Sequence, residues 1–197
     1  MGKSANEIVV VEFVQLAFST LFVPKGFKGD TDPTKQRYSC SFLMSKTTEQ
    51  GKANIATVEK AMKEVYVSMW PKDGPKLKPH QVCMRDGDDE TYEGFAGNMY
   101  LSATSTKRPT VIDVDTSPLV EADDRPYSGC TVVGQATIWA QDNQYGQRIN
   151  ATLDVVQFIS HGARSGSSSS IDTNRFRDRR NEVPAAAGSN SGSGVWS

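Results

Sequence analysis

The sequence predicts a mainly β domain, a small, partly open barrel with one inserted α-helix and a disordered C-terminal tail. Three observations carry that prediction. Several segments alternate apolar and polar residues with period two. One stretch alone repeats apolar residues at three- and four-residue steps. Residues 161–197 show neither pattern.

Glu7 to Phe18 is rich in Val and Phe and reads as the first strand. Unbroken alternation puts Val9, Val11, Phe13 and Gln15 on one face and Val10, Glu12, Val14 and Leu16 on the other. A loop through Pro24, Gly26, Gly29, Asp30 and Pro33 follows, then a second strand from Arg37 to Met44. Phe13 and Phe42 are assigned to the core. Thr47 with Gln50 matches a capping box, and Ile55, Val58, Met62, Val65 and Met69 form the apolar stripe of a helix that Trp70-Pro71 ends. Packing against the core accounts for that stripe.

After the Lys/Pro-rich connection PKDGPKLKP come short strands near Val82–Arg85, Gly97–Ala103 and Thr110–Val114. Two long strands, Gly129 to Gln141 and Gln147 to Ile159, close the domain around a hairpin turn at Asp142–Gly146. The folded domain therefore spans residues 1–160. Residues 161–197 run through Ser167 to Ser170 and hold five arginines against Asp172, Asp178 and Glu182. They have too little apolar surface to offset their ordering entropy and read as a flexible Ser/Gly/Arg-containing tail.

Composition excludes several classes. No apolar run approaches the ~18 residues of a membrane span, and the N-terminus lacks the apolar core of a signal peptide, so a soluble, cytoplasmic chain is expected. Cys40, Cys83 and Cys130 form no paired short spacing, and His80 and His161 stand apart from them, so no metal or cofactor is expected and buried thiols are. No GxxxxGK[ST], GxSxG, HExxH or GxGxxG occurs, which argues against an enzyme. The acidic run Asp86-Gly87-Asp88-Asp89-Glu90 fails the calcium-loop spacing, because the twelfth position from Asp86 is Gly97. It reads as a solvated acidic turn. The net charge of −1 hides an asymmetry: residues 24–85 hold twelve basic against six acidic groups, and residues 86–124 two against ten. A near-neutral chain of this kind can still present a basic face to a polyanion.

Seven short motifs then fall in a familiar order. They are LFVPKGF (21–27), RYSCSFL (37–43), Asp86-Gly87-Asp88, Tyr92-Glu93-Gly94, YLSA (100–103) with Lys107-Arg108-Pro109, Tyr127-Ser128-Gly129-Cys130, and Ala140-Gln141-Asp142-Asn143. Together, over residues 8–160, they resemble the phage single-stranded DNA-binding proteins of the OB-fold type. The resemblance implies a protein that coats and protects single strands without sequence preference during phage DNA replication or recombination, in the cytoplasm of the infected host cell. Phage replication proteins are then further candidate partners. Some proteins of this function end in an acidic tail that recruits replication enzymes, but here the last fifteen residues carry no charge.

Single-stranded DNA needs cations along its phosphates and flat apolar rings for its bases. The cations in suitable places are Lys25, Lys28, Lys35 and Arg37 around the first long loop, Lys72, Lys76, Lys78 and Arg85 around the helix-to-strand connection, and Lys107 and Arg108 in a later turn. The candidate stacking rings are Tyr38, Tyr92, Phe95, Tyr100 and Trp139, each on or beside a strand and among polar neighbours. For each ring the sequence leaves two readings, base platform or core. Two rival functions share the same β-rich core: a protein–protein interaction module, and a metal-dependent nuclease built on the Asp86–Glu90 carboxylates.

Overall fold

The structure, a computed structural model, describes residues 5–26 and 29–164. The tail therefore lies almost wholly outside the described residues, as does Lys28. The elements are β1 (Asn6–Lys25), β2 (Arg37–Ser45), α1 (Glu49–Met69), β3 (Met84–Asp86), β4 (Asn98–Ser105), β5 (Thr110–Ile112), β6 (Thr131–Asn143) and β7 (Gly146–Ser160). They pair in the order β3-β4-β2-β1-β6-β7-β5. A parallel contact between Thr104 and Thr152 joins β4 to β7. That contact closes β1-β2-β4-β7-β6 into a five-stranded ring, so the barrel expected to be partly open is shut. Among the described residues no helix is long and apolar enough to cross a membrane.

The barrel is filled by Leu16, Phe42, Met44, Leu101, Ile138, Leu153 and Val156, all fully buried, with Val58 and Val65 of α1 packed against them. Ile55, Met62 and Met69 flank that contact half-buried. Gly134 on β6 faces the ring of Phe42, and a Cβ there would stand 2.3 Å from that ring. Only glycine lets the aromatic occupy the barrel axis. Cys40, Cys83 and Cys130 are buried thiols, and burial pushes Cys83 up to about 12.

Strand β1 departs most from the sequence expectation. It continues through Pro24 to Lys25, pairing Thr20 with Ser39 and Lys25 with Arg37, where a loop was expected. Its register also slips three times, against β6 between Val11 and Val14, and against β2 between Ala17 and Thr20 and again between Thr20 and Lys25. At each of the first two slips a phenylalanine sits in left-handed backbone, Phe13 at φ 51° and Phe18 at φ 48°. Such conformations cost a non-glycine residue roughly 1–3 kcal/mol. Phe13, assigned to the core, is 60% exposed instead, because the bulge turns it outward and passes the core position on to Val14.

The first bulge also fixes the helix. Asn54, buried on α1, donates from Nδ2 to the Glu12 carbonyl at 2.8 Å and accepts from the Glu12 N–H at 3.1 Å. One side-chain amide thus satisfies both main-chain groups that the broken ladder leaves beside Phe13. The helix cap lies one residue later than expected: Thr48 Oγ1 accepts from the Gly51 N–H at 3.1 Å, and Thr47 pairs with Ser45. Trp70 terminates α1 as expected. The β6–β7 hairpin closes at Asn143 and Gly146, whose φ of 108° calls for glycine.

Candidate nucleic-acid interface

In closed barrels of this topology the outer face of the second and third strands, with the loop joining the first two, is where oligonucleotides lie. Here those strands are β2 and β4, paired without a slip from Tyr38–Ser105 to Ser45–Asn98. Cys40, Phe42 and Met44 point into the barrel, as do Leu101 and Ala103. The alternate positions therefore form the outer floor: Ser39 beside Thr104, Ser41 beside Ser102, and Leu43 beside Tyr100. The side chains in the middle of that floor are small hydroxyls, of which Ser41 is buried.

The end of the floor at Leu43 and Tyr100 is aromatic. Leu43, Ala17, Phe95 and Tyr100 form a second apolar cluster outside the barrel. Phe18 and Tyr92 cap it, with ring centroids 4.9 Å apart in an edge-on arrangement, and both rest on Phe95 at 5.3 and 5.6 Å. Phe18 is 52% and Tyr92 53% exposed, and with Gln15, Ala17 and Leu43 they line a cavity of about 350 Å³. Beneath them, Phe95 and Tyr100 are 2% and 5% exposed. Of the two readings the sequence leaves for these rings, they therefore take the buried one and are not open platforms. The chain between β3 and β4 folds Phe95 down onto the outer sheet, where it meets Tyr100 edge-on at 5.0 Å and props the exposed pair. Tyr100 also hydrogen-bonds Glu90, and burial first, then that bond, pushes its hydroxyl up to about 12.

Cations stand at both ends of the floor. Lys25 ends β1 in register with Arg37, and Lys107 and Arg108 are exposed just beyond β4, Arg108 lying 5.3 Å from the Phe22 ring. Arg85 stands over the Tyr100 ring at 5.4 Å. Lys72, Lys76 and Lys78 are exposed on the connection after α1. Two expected phosphate contacts are otherwise engaged. Lys35 pairs with Asp30 at 3.0 Å, and Arg37 donates to the carbonyls of Thr34 and Gln36 at 2.7 Å, which shapes the loop.

Comparison with known proteins bears on this geometry directly. Residues 7–184 match the family described as Enterobacter phage Enc34, ssDNA-binding protein. The chain belongs to that family. Protein p50 of Acyrthosiphon pisum secondary endosymbiont phage 1 is 38% identical over 156 residues, covering 76% of this chain and 81% of that one. The single-stranded DNA-binding protein of bacteriophage Enc34, solved in complex with ssDNA, is 25% identical with a TM-score of 0.70, over 81% of this chain and 89% of its own. The single-stranded DNA-binding protein gp2.5 of bacteriophage T7 shares the fold, with a TM-score of 0.54 at 13% identity over 80% of this chain and 93% of its own.

Within this Enc34-family chain, two other candidate rings stand apart from the floor. Trp139 lies on the outer face of β6, two strands from either β2 or β4, and its Nε1 donates to Thr152 Oγ1 at 3.0 Å. Tyr38 shares the inward parity of Cys40 and Phe42 and is half-buried at the barrel end. The acidic run is structural. Asp86 and Asp88 both bind the Lys46 ammonium, and Asp88 also accepts from the Gly97 N–H at 2.6 Å. Lys46 chiefly holds the Asp86 carboxyl below its ordinary range, and the Gly97 N–H, then Lys46, does the same for Asp88. Phe18 is the ring that sequence reasoning missed. Its signal was the phase of the apolar positions, Leu16 and then Leu21, which no unbroken alternation produces.

Proposed function

We propose that this protein binds single-stranded DNA without sequence preference by laying it across the outer face of β2 and β4. Phosphates then lie near Lys25, Lys107, Arg108 and Arg85, and bases stack on Phe18 and Tyr92. The observation that supports this most is the pair of exposed rings braced from below by buried Phe95 and Tyr100, at the end of a hydroxyl-lined floor with cations at its ends. Stacking contributes about 1–3 kcal/mol per base and accepts any base, because every base has a π-face. The relative solved with ssDNA has the same barrel over most of both chains. Coating of this kind keeps strands from reannealing during phage DNA replication or recombination. It makes and breaks no covalent bond, and of the carboxylates that a nuclease would turn on a metal, Asp86 and Asp88 are held here by Lys46 and Glu90 by Tyr100.

The test is fluorescence anisotropy of a labelled oligothymidine of ~30 nucleotides, long enough for more than one site of ~4–16 nucleotides, beside a matching duplex. Tight binding to the single strand alone is expected, with log K falling against log salt by about 0.7 for each phosphate neutralised. Absence of binding at low salt rejects the proposal and favours a protein-binding module. Magnesium-dependent loss of the oligonucleotide rejects it in favour of a nuclease.

A further inference from the structure

The edge of β4 has two partners in succession. Its first half pairs with β3, through Arg85–Tyr100 and Met84–Leu101, and its far end meets β7 at Thr104–Thr152. Where one partner gives way to the other, the outer wall parts into a pocket of about 130 Å³. That is small beside the ~300–1,000 Å³ clefts that bury whole organic ligands, and it suits one ionic group. Its sides carry Arg85 from β3 and Arg148 from β7. Ser102 and Thr104 of β4 supply hydroxyls, Asn150 an amide, and His80 stands at the rim.

The charge in this pocket is one-sided. No Asp or Glu lines it, and neither arginine forms a salt bridge among the described residues. Arg85 Nε is buried with no hydrogen-bond partner among the described residues, although a buried donor of that kind ordinarily has one. The guanidinium is also held in place: it lies against the Tyr100 ring, and Tyr100 is itself tied to Glu90. Gln81 fixes the short turn carrying His80 by donating to the Gln147 carbonyl of β7 at 2.9 Å. Two guanidiniums and two hydroxyls around one small pocket are the donor set that suits a phosphate, which takes forked hydrogen bonds from arginine.

We infer that this pocket is a phosphate seat in which Arg85 and Arg148 clasp one backbone phosphate of the bound strand. The inference rests on the single-stranded DNA reading and extends it. Ser102, Thr104 and Arg85 belong both to the seat and to the outer floor, so a strand anchored here continues over β4 toward Phe18 and Tyr92. Arg148, which the sequence did not single out, becomes the residue that fixes where the backbone crosses the barrel wall.

The experiment is the same anisotropy titration across a salt series with R148Q, R148K, R85Q and the double variant R85Q/R148Q. K60Q, on the outer side of α1, serves as the charge-matched control. R148Q is expected to weaken binding about tenfold, the cost of losing a hydrogen bond to a charged group, and to lower the salt slope by about 0.7. R148K, which keeps a point charge without the fork, retains the slope and loses part of the affinity. Because both arginines serve one phosphate, the double variant lowers the slope no further than either single one. An oligothymidine with neutral methylphosphonate linkages must bind wild type and R148Q equally. If wild type binds and R148Q matches it in affinity and slope, the seat is refuted while the DNA reading stands. The seat is equally refuted if K60Q lowers the slope as much as R148Q does, or if R148Q weakens binding of the neutral oligomer. If wild type itself fails to bind, both readings fall.

Discussion

Two outer walls of the same barrel differ in what they leave open. On the β6–β7 wall several polar side chains close on one another, as Thr20 and Ser39 also do across β1 and β2. Thr137 Oγ1 donates to Asp154 at 2.7 Å, Trp139 Nε1 to Thr152 at 3.0 Å, and Asn150 Nδ2 to Gln141 at 3.4 Å. On the β1–β2–β4 wall the floor ends instead in two exposed rings, and its rim carries exposed Lys25, Lys107 and Arg108. Donors that find partners within the molecule ask nothing more of their surroundings than water. A surface that leaves rings and cations open is prepared for a chain of bases and phosphates.

The sharpest way to break this contrast is to strip one wall and touch the other lightly. The double variant F18A/Y92A is expected to lose at least about 2 kcal/mol of single-strand affinity, roughly thirtyfold, with its melting transition little changed. W139F on the opposite wall should stay within about twofold of wild type. An equal loss in W139F would reverse the assignment of the walls.

A second substitution separates the scaffold from the surface. N54A strands the Glu12 N–H and carbonyl beside the first bulge, so the denaturant midpoint should fall by the equivalent of about 1–3 kcal/mol. Tight binding by the folded fraction should survive. An unchanged midpoint would mean that water replaces the amide without loss.

The smallest expected effect concerns pH. Asp86 and Asp88 have lowered pKa values in the folded protein, so their pairing with Lys46 stabilises it above the ordinary carboxylate range of ~4. That contribution is lost as pH falls through the lowered values. The stability gap between wild type and K46M should therefore narrow in urea titrations below pH ~4, and shrink with added salt. A gap constant from neutral to acid pH would show that Lys46 acts by packing alone.

Much of this architecture could be read from residue order. The strands β2, β6 and β7 and the helix fall within a residue or two of the bounds their patterns imply, even though β7 skips a step of its own between Leu153 and Val156. On the first strand the errors gather where alternation stops. On β1 the buried positions run Val9, Val11, Val14, Leu16, and the step of three is the trace of the bulge that throws Phe13 outward. For Phe95 and Tyr100 the sequence could not choose between platform and core, for another reason. Tyr100 does occupy the outer face, as alternation implies, but the loop leading into β4 covers it with Phe95, and period-two patterning carries no information about what folds over a sheet. Arg148 was silent because its place in one pocket with Arg85 depends on β3 and β7 sharing the edge of β4, which is a fact of topology.

The closing contact of the barrel is also its slenderest. Along β6 and β7 the ladder runs from Thr131 to Asn143, whereas β4 and β7 meet in register at Thr104 and Thr152 alone among the described residues. Opening at that join breaks fewer main-chain bonds than opening anywhere else around the ring, so amide exchange should report it as the first cooperative breathing motion of the fold. A polyanion that grips β3 on one bank and β7 on the other spans this join as a clasp spans a cuff. Cargo would then tighten its own container, and slower exchange at the join would record occupancy as a change in mechanical stiffness.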